Sequence, residues 1–273
     1  MKGKLIGLLA LAGTMAATSV SANETISVSG STSVTEVMEV LAETYHSLHK
    51  NTFIEVQGTG SSAGIKAAKN GTSMFGMASR ELKTSEKEDA LKETVIARDG
   101  IAIVVNSGNT INDLTKEEIA AIYRGDITNW ADVGGESKPI VVVTRDTASG
   151  TRGAFEDIMN LKRKVNGISV SSISQRAQVA NGNGVVKTIV ANNPFAIGFI
   201  SLGSVDKSLK AVKVDGHAPS VAAVQAGTYN VARPFLILHK DNKMTDTGRA
   251  FLNWATSEEG QKIVSQQGYI AIN

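Results

Sequence analysis

The chain alternates short apolar segments with amphipathic ones, and this alternation limits the folds it can adopt. Thr25–Ser29, Phe53–Gln57 and Met74–Ala78 have the length and composition of buried strands. Between the first two strands, apolar residues recur at helical spacing, at Val34, Val37, Met38, Leu41 and Tyr45. Strands that alternate with helices favour sheets with mostly parallel strands. We therefore predict an α/β fold.

Two long extended runs, Val95–Asn106 and Tyr229–His239, divide this pattern. Each is long enough to leave one globular unit and enter another, and the alternation of strands and helices restarts between them. We predict two lobes joined by two crossover strands, with residues 23–98 and 235–273 in lobe 1 and residues 99–234 in lobe 2. Because ligands of open α/β sheets bind beyond the carboxyl ends of the strands, we expect the site in a cleft between the lobes.

The first 22 residues have the features of a cleaved signal peptide. Lys2 and Lys4 precede the apolar stretch Leu5–Ala12, which is too short for a membrane span. The small residues Val20-Ser21-Ala22 are typical of a cleavage site. We predict cleavage after Ala22 and a periplasmic location.

Composition excludes several classes of function. The signal peptide holds two basic residues and none of the 26 acidic ones, so the formal charge of +2 belongs to that segment and the mature chain is neutral. A nucleic-acid partner is not expected, since the chain lacks a basic stripe. The chain has no cysteine, which excludes disulfides, thiolate catalysis and cysteine-based zinc sites. His46 and His49 share a predicted helix without a third ligand, so we predict no metal and no cofactor.

Three runs of Ser, Thr and Gly lie where a strand passes into a helix. They are Gly30-Ser31-Thr32-Ser33, Gly60-Ser61-Ser62-Ala63-Gly64 and Ser149-Gly150-Thr151, and Arg145 precedes the third. A helix N-terminus offers free N–H groups and a partial positive charge, and hydroxyl groups add further donors. A guanidinium can bind two oxygens of one anion. These junctions predict an oxyanion site, although Ser33 could instead be a simple helix cap and Arg145 could pair with Asp146.

The second junction also allows an enzymatic alternative. Gly60–Gly64 matches the G-x-S-x-G nucleophile elbow with Ser62 as nucleophile, which would require His217 or His239 as the base. Together with Gly58, the segment also matches a relaxed dinucleotide-binding pattern, G-x-G-x-x-A. The acidic residue that would bind the ribose about 20 residues later is missing. A five-residue motif occurs often by chance, so we predict no enzymatic activity and keep a serine hydrolase as the alternative.

Taken in order, the segments resemble the PstS family, the periplasmic phosphate-binding proteins that feed the phosphate-specific ABC transporter. Gly76–Arg80, Arg145–Arg152 and Ala196–Phe199 carry the resemblance together with the first two junctions. It implies the two-lobed Venus-flytrap, or type II periplasmic-binding-protein, fold with phosphate bound between the lobes. It also implies a monomer that delivers phosphate to a membrane permease.

The resemblance extends to the binding residues, with one departure. Where well-known members have an aspartate that accepts a hydrogen bond from protonated phosphate, this chain has Ser79, followed by Arg80. Ser79, a backbone carbonyl or Asp146 would then accept that hydrogen bond, and a general tetrahedral-oxyanion carrier is a second alternative. The predicted phosphate ligands are Ser31, Thr32, Ser33, Ser61, Ser62, Ser79, Arg80, Arg145, Ser149, Gly150 and Thr151.

Overall fold

A computed structural model describes residues 23–272, so the predicted signal peptide lies outside the described residues. The strands of this part of the chain are β1 (Glu24–Gly30), β2 (Thr52–Gly58), β3 (Phe75–Ala78), β4 (Lys92–Asn106), β5 (Asp113–Leu114), β6 (Val141–Arg145), β7 (Lys162–Val165), β8 (Ile168–Ser171), β9 (Gln178–Ala180), β10 (Ala196–Ser201), β11 (Leu209–Ala211), β12 (Lys213–Val214) and β13 (Ala232–His239). The helices are α1 (Thr32–Leu48), α2 (Ser61–Asn70), α3 (Lys116–Arg124), α4 (Gly150–Ile158), α5 (Asn183–Asn192), α6 (Val221–Gln225), α7 (Asp246–Ala255) and α8 (Glu258–Gln266).

One curled sheet runs through the molecule in the order β2-β1-β3-β13-β4-β10-β6-β9, and β11 pairs with β4. The strands β2, β1 and β3 are parallel to one another, as are β10, β6 and β9. The central strands β13 and β4 are antiparallel to each other and to their outer neighbours β3 and β10. The prediction of an α/β fold is therefore confirmed, and the antiparallel pairs arise where the two predicted crossover strands meet.

The strand β4 connects two groups of apolar residues. Its first half pairs with β13 and contributes Ile96 and Ala97 to a core beneath α1, α7 and α8. Its second half pairs with β10, and Ile101 and Ile103 belong to a core with Trp130, Phe155 and Phe199. The chain thus passes from one core to the other near Gly100. The fold is the two-lobed type II arrangement that the resemblance implies.

Local signals in the sequence account for several helix boundaries. The predicted apolar face of α1 is buried, and its N-cap is Ser31, whose Oγ accepts hydrogen bonds from the N–H groups of Ser33 and Val34. Ser33, the residue considered above as a cap, lies inside the helix. Thr115 and Glu118 have the spacing that predicts a capping box, and they form one at the start of α3. None of the helices in the described part of the chain has the length and hydropathy that a membrane span needs.

Two local signals in the sequence give wrong predictions. Ser85, followed by Glu86 and Glu88, predicts a helix start, but only a 3-10 turn, Thr84–Glu86, forms. The Glu86 carboxylate accepts from the Lys83 N–H and from Arg80, six residues earlier. The apolar residues of 210–214 predict one strand, but the segment is divided into β11 and β12, which pair with different partners, β4 and β5.

Candidate functional site

The three Ser/Thr/Gly junctions meet where the two lobes contact each other. Ser31, Thr32 and Ser33 lie at the start of α1, Ser61 at the start of α2, and Ser149, Gly150 and Thr151 at the start of α4. Ser33 Oγ lies 3.0 Å from Thr151 Oγ1, although the two residues belong to different lobes. The structure therefore brings three helix N-termini together around one point, which is the arrangement that favours an anion.

Ser79 lies within the same cluster, directly after β3. Its Oγ accepts a hydrogen bond from Ser31 Oγ at 2.8 Å and lies 3.5 Å from Ser61 Oγ. Its N–H donates to Ser61 Oγ at 3.1 Å. All three serines are buried. A hydroxyl can both donate and accept, so this group can adjust its protons to a bound oxyanion.

Gly150 lies where α4 closely approaches the serines of the other lobe. A Cβ atom added at this glycine would lie 2.6 Å from Ser79 Oγ and closer still to Ser61 Oγ. A side chain at position 150 would therefore push α4 away from the serines of the other lobe. Glycine also leaves the first N–H groups of α4 accessible to a small anion.

Arg145 ends β6 and is buried, with 1% of its surface exposed. Its guanidinium donates to Thr32 Oγ1 at 2.8 Å, Asn183 Oδ1 at 3.1 Å and the Ala180 carbonyl at 3.2 Å. Within residues 23–272, no carboxylate lies within ion-pair distance of this guanidinium. A buried cation with only neutral partners is costly, because its charge is removed from water without compensation.

The charge of Arg145 persists at neutral pH in spite of this burial. Burial and, secondly, repulsion by Arg233 lower the pKa of Arg145 to about 10, whereas Asp146 and Glu36 oppose the shift. Asp146 makes no ion pair with Arg145, and its Oδ1 instead accepts from the Ala148 N–H at 2.8 Å. Asp146 thus closes the turn before α4.

Arg80 and Ser62 lie beside the cluster but have other partners. The Arg80 guanidinium forms a forked pair with Glu86, at 2.7 and 2.8 Å, and donates to the Glu81 carbonyl. Its remaining Nη2 contact is Ser62 Oγ at 3.3 Å. Four of the five donors of Arg80 are therefore occupied within its own lobe.

Sequence reasoning missed Asn183, which is buried at the start of α5. Its side chain contacts Arg145 in its own lobe and both Ser33 and Glu36 in the other. The run Asn181-Gly182-Asn183-Gly184 by itself predicts only a helix start. An asparagine in a glycine-rich turn after a strand was the available signal, since its amide can both donate and accept.

The histidines do not assemble a catalytic or metal site in the described residues. His46 Nδ1 lies 2.8 Å from the Thr52 carbonyl, and His49 stacks on Tyr45. His239 packs edge-on against Phe75, and burial lowers its pKa. Over residues 23–272 no group of three or more metal-binding side chains is found. Trp130, expected in the core, is buried there and donates to the Phe195 carbonyl.

Comparison with known proteins gives one consistent family. A model of the PBP superfamily domain matches residues 16–259. The phosphate-binding protein PstS of Bacillus subtilis is 30% identical over 259 residues, which cover 92% of this chain and 82% of the relative. PstS of Borreliella burgdorferi is 29% identical, with 90% of each chain covered.

Solved structures agree with these relatives. A Clostridium perfringens protein, described as a phosphate ABC transporter substrate-binding protein and crystallised with bound phosphate, is 44% identical, with a TM-score of 0.87. The alignment covers 92% of this chain and all of that one. An ABC-type phosphate transport receptor from Vibrio cholerae is 43% identical, with a TM-score of 0.78 and coverage of 91% and 100%.

Proposed function

The chain belongs to the PstS family of phosphate-binding proteins, and from this premise we propose that it binds inorganic phosphate between its lobes and delivers it to an ABC transporter. The observation that carries the proposal is the Arg145 guanidinium, which is buried without a carboxylate partner and donates to the Thr32 hydroxyl of the other lobe. A phosphate anion would supply the missing negative charge and accept the hydroxyl and N–H hydrogen bonds.

We further propose which residues bind the phosphate. Lobe 1 supplies Ser31, Thr32, Ser33, Ser61 and Ser79. Lobe 2 supplies the Arg145 guanidinium and the start of α4, namely Ser149, Gly150 and Thr151. Arg80 and Ser62 belonged to the predicted set, but their contacts with Glu86 and with each other favour a role in the wall of the cleft.

Phosphate should stabilise the protein, and this effect tests the proposal. At a concentration one hundred times the Kd, phosphate would add about 2.7 kcal/mol to the free energy of unfolding. A thermal-shift screen with phosphate, arsenate, sulfate and molybdate would measure it. We expect the largest rise in Tm with phosphate or arsenate. Equal shifts with sulfate would favour the general oxyanion carrier, and no shift with any of the four anions would contradict the proposal.

We propose that the protein carries phosphate without chemical conversion. Ser62 Oγ accepts from Arg80 at 3.3 Å, and the two histidines that a hydrolase would need are engaged elsewhere, His239 with Phe75 and His217 in a turn with Val214. A fluorophosphonate probe tests this point. Labelling of the wild type that disappears in Ser62→Ala would support the serine hydrolase instead.

The organisation of the chain completes the proposal. We place lobe 1 at residues 23–98 and 235–273 and lobe 2 at 99–234, a division supported by the two cores that β4 connects. We also propose a periplasmic monomer, cleaved after Ala22, that presents its closed form to a membrane permease. Mass spectrometry of the exported protein should find Asn23 at its N-terminus, and light scattering should give the mass of one chain.

A further inference from the structure

A second group of side chains joins the lobes outside the hydroxyl cluster. It consists of Glu36 on α1, Asn183 at the start of α5 and Ser204 in the turn after β10. Asn183 Nδ2 donates to Glu36 Oε1 at 2.9 Å, and Ser204 Oγ donates to Glu36 Oε2 at 2.6 Å. Asn183 Nδ2 also lies 2.9 Å from Ser204 Oγ. Two polar side chains of lobe 2 thus hold one carboxylate of lobe 1.

Glu36 is anchored in its own lobe as well. The hydroxyl of the buried Tyr269 lies 3.3 Å from Glu36 Oε2. Both carboxylate oxygens are therefore engaged, although the residue itself lies at the exposed rim of the cleft. Hydrogen bonds to a charged group are stronger than those between neutral groups, so this contact opposes opening of the lobes.

Asn183 connects this contact to the anion site. While its Nδ2 faces Glu36, its Oδ1 accepts from Arg145 Nη1 at 3.1 Å. The side chain is buried, with 3% exposed, and its amide is used at both ends. The same residue therefore orients the guanidinium and joins the lobes.

The hydrogen bonds of Glu36 favour a role in lobe contact over direct anion binding, because both of its carboxylate oxygens are already engaged. A carboxylate that accepts no hydrogen bond from a nearby oxyanion repels that anion. Glu36 favours phosphate retention only if its hydrogen bonds across the lobes stabilise the closed form by more than its charge repels the anion. These two effects have opposite signs, so removal of Glu36 distinguishes them.

We propose that Glu36, Asn183 and Ser204 form a latch that holds the lobes closed and so slows the release of bound phosphate. The inference rests on the phosphate site proposed above. The latch forms only when the lobes meet, so it acts on dissociation more than on association. Asn183 and Glu36 are positioning residues that need no contact with the ligand.

Phosphate release from Glu36→Ala tests the latch. The protein is loaded with radiolabelled phosphate and chased with unlabelled phosphate. We expect the dissociation rate constant to rise about tenfold, since hydrogen bonds to a charged group are lost, while the association rate constant stays within about twofold. Glu39→Ala is the matched control, because this exposed carboxylate lies one turn further along α1, and its release rate should equal that of the wild type.

Two further variants show whether faster release comes from loss of the latch or from a change in charge or folding. Glu36→Gln keeps a carbonyl oxygen for Asn183 but removes the charge and the second acceptor oxygen, so its release rate should lie between those of the wild type and Glu36→Ala. Ser204→Ala removes the contact from the opposite lobe and should raise the release rate in the same direction. Combined with Glu36→Ala, it should add little, because both substitutions break the same contact.

Release from Glu36→Ala that is as slow as from the wild type, or slower, would overturn the latch. Phosphate binding by Arg145→Ala distinguishes a failure of the latch from a failure of the proposed phosphate site. Loss of phosphate binding in Arg145→Ala together with unchanged release in Glu36→Ala would reject the latch alone. Wild-type phosphate binding in Arg145→Ala would instead reject the proposed site.

Discussion

Arg145 and Arg233 are both buried arginines between the lobes, but their partners differ. Arg233 forms an ion pair with Asp99, with its Nη2 2.9 Å from Asp99 Oδ2, and each side chain is 1% exposed. Arg145 has Thr32, Asn183 and a backbone carbonyl as partners. One guanidinium is thus neutralised by the fold, and the other is only hydrogen-bonded.

The difference indicates which charge is structural and which is functional. Asp99 and Arg233 lie on the two crossover strands, and Ser201 Oγ donates to Asp99 Oδ1 at 2.9 Å. Burial raises the pKa of Asp99 and lowers that of Arg233, so each charge depends on the other. A buried charge without such a partner persists in a fold when a ligand supplies the compensation. Arg145 has no carboxylate partner in the described residues, which is why we propose that phosphate compensates its charge.

The largest expected effect comes from Arg145→Ala. It removes the charge that compensates the phosphate, so we expect phosphate affinity to fall by about 4 kcal/mol, roughly a thousandfold. The free energy of unfolding without phosphate should change little or rise, because an uncompensated buried charge is lost. Titration calorimetry and denaturant unfolding measure the two quantities. Near-wild-type phosphate affinity would contradict the functional role proposed for Arg145.

Asp99→Ala should produce the opposite pattern. It leaves Arg233 buried without its carboxylate, so we expect the free energy of unfolding to fall by about 3 kcal/mol. Phosphate affinity should fall far less than in Arg145→Ala, because the remaining positive charge lies near the anion site. Urea unfolding with and without phosphate checks both expectations. A stable Asp99→Ala protein that has lost phosphate binding would reverse the two roles.

Much of this architecture follows from local sequence signals. The apolar spacing of α1, the capping box of α3 and the long run that forms β4 depend on neighbours in the chain, and all three were predicted. The junctions at Ser31, Ser61 and Ser149 were predictable for the same reason, since each couples a strand end to a helix start. The hairpin β7–β8 was missed, although its Asn166-Gly167 turn, with both φ angles positive, is a strong hairpin signal.

Partners that are distant in the chain could not be predicted in the same way. Ser33 and Thr151, whose hydroxyl oxygens lie 3.0 Å apart, are separated by 118 residues. Asn183 and Glu36 lie 147 residues apart. No periodicity or motif in a single sequence encodes such a contact, because it depends on how the two lobes meet.

Gly150→Ala tests whether binding depends on close approach as well as on charge. The new Cβ would meet Ser61 and Ser79 across the cleft, so we expect phosphate affinity to fall by about 2 kcal/mol, within the usual cost of overpacking. Gly184→Ala is the matched control, since that glycine lies in the first turn of α5 with no atom within 4 Å of its added Cβ. Both variants can be compared by calorimetry. Equal affinities would show that the lobes need not approach closely at α4.

Ser79→Ala should have the smallest effect. Ser79 lies between the surroundings of the two arginines. The Ser79 carbonyl accepts from Arg233 at 3.3 Å, while its hydroxyl belongs to the cluster beside Arg145. We expect phosphate affinity to fall by about 1 kcal/mol, the worth of one hydrogen bond. Sulfate affinity should fall less, because a serine oxygen can accept a hydrogen bond from protonated phosphate, whereas sulfate has no proton to donate at neutral pH.

Competition calorimetry with phosphate and sulfate measures this change in selectivity. Ser62→Ala is the control, since that hydroxyl is bonded to Arg80 and should leave the ratio of the two affinities unchanged. A ratio that is the same in Ser79→Ala and in the wild type would transfer the acceptor role to a backbone carbonyl or to Asp146, which are the other two acceptors that the sequence offers. In that case Ser79 would contribute to affinity without distinguishing phosphate from sulfate.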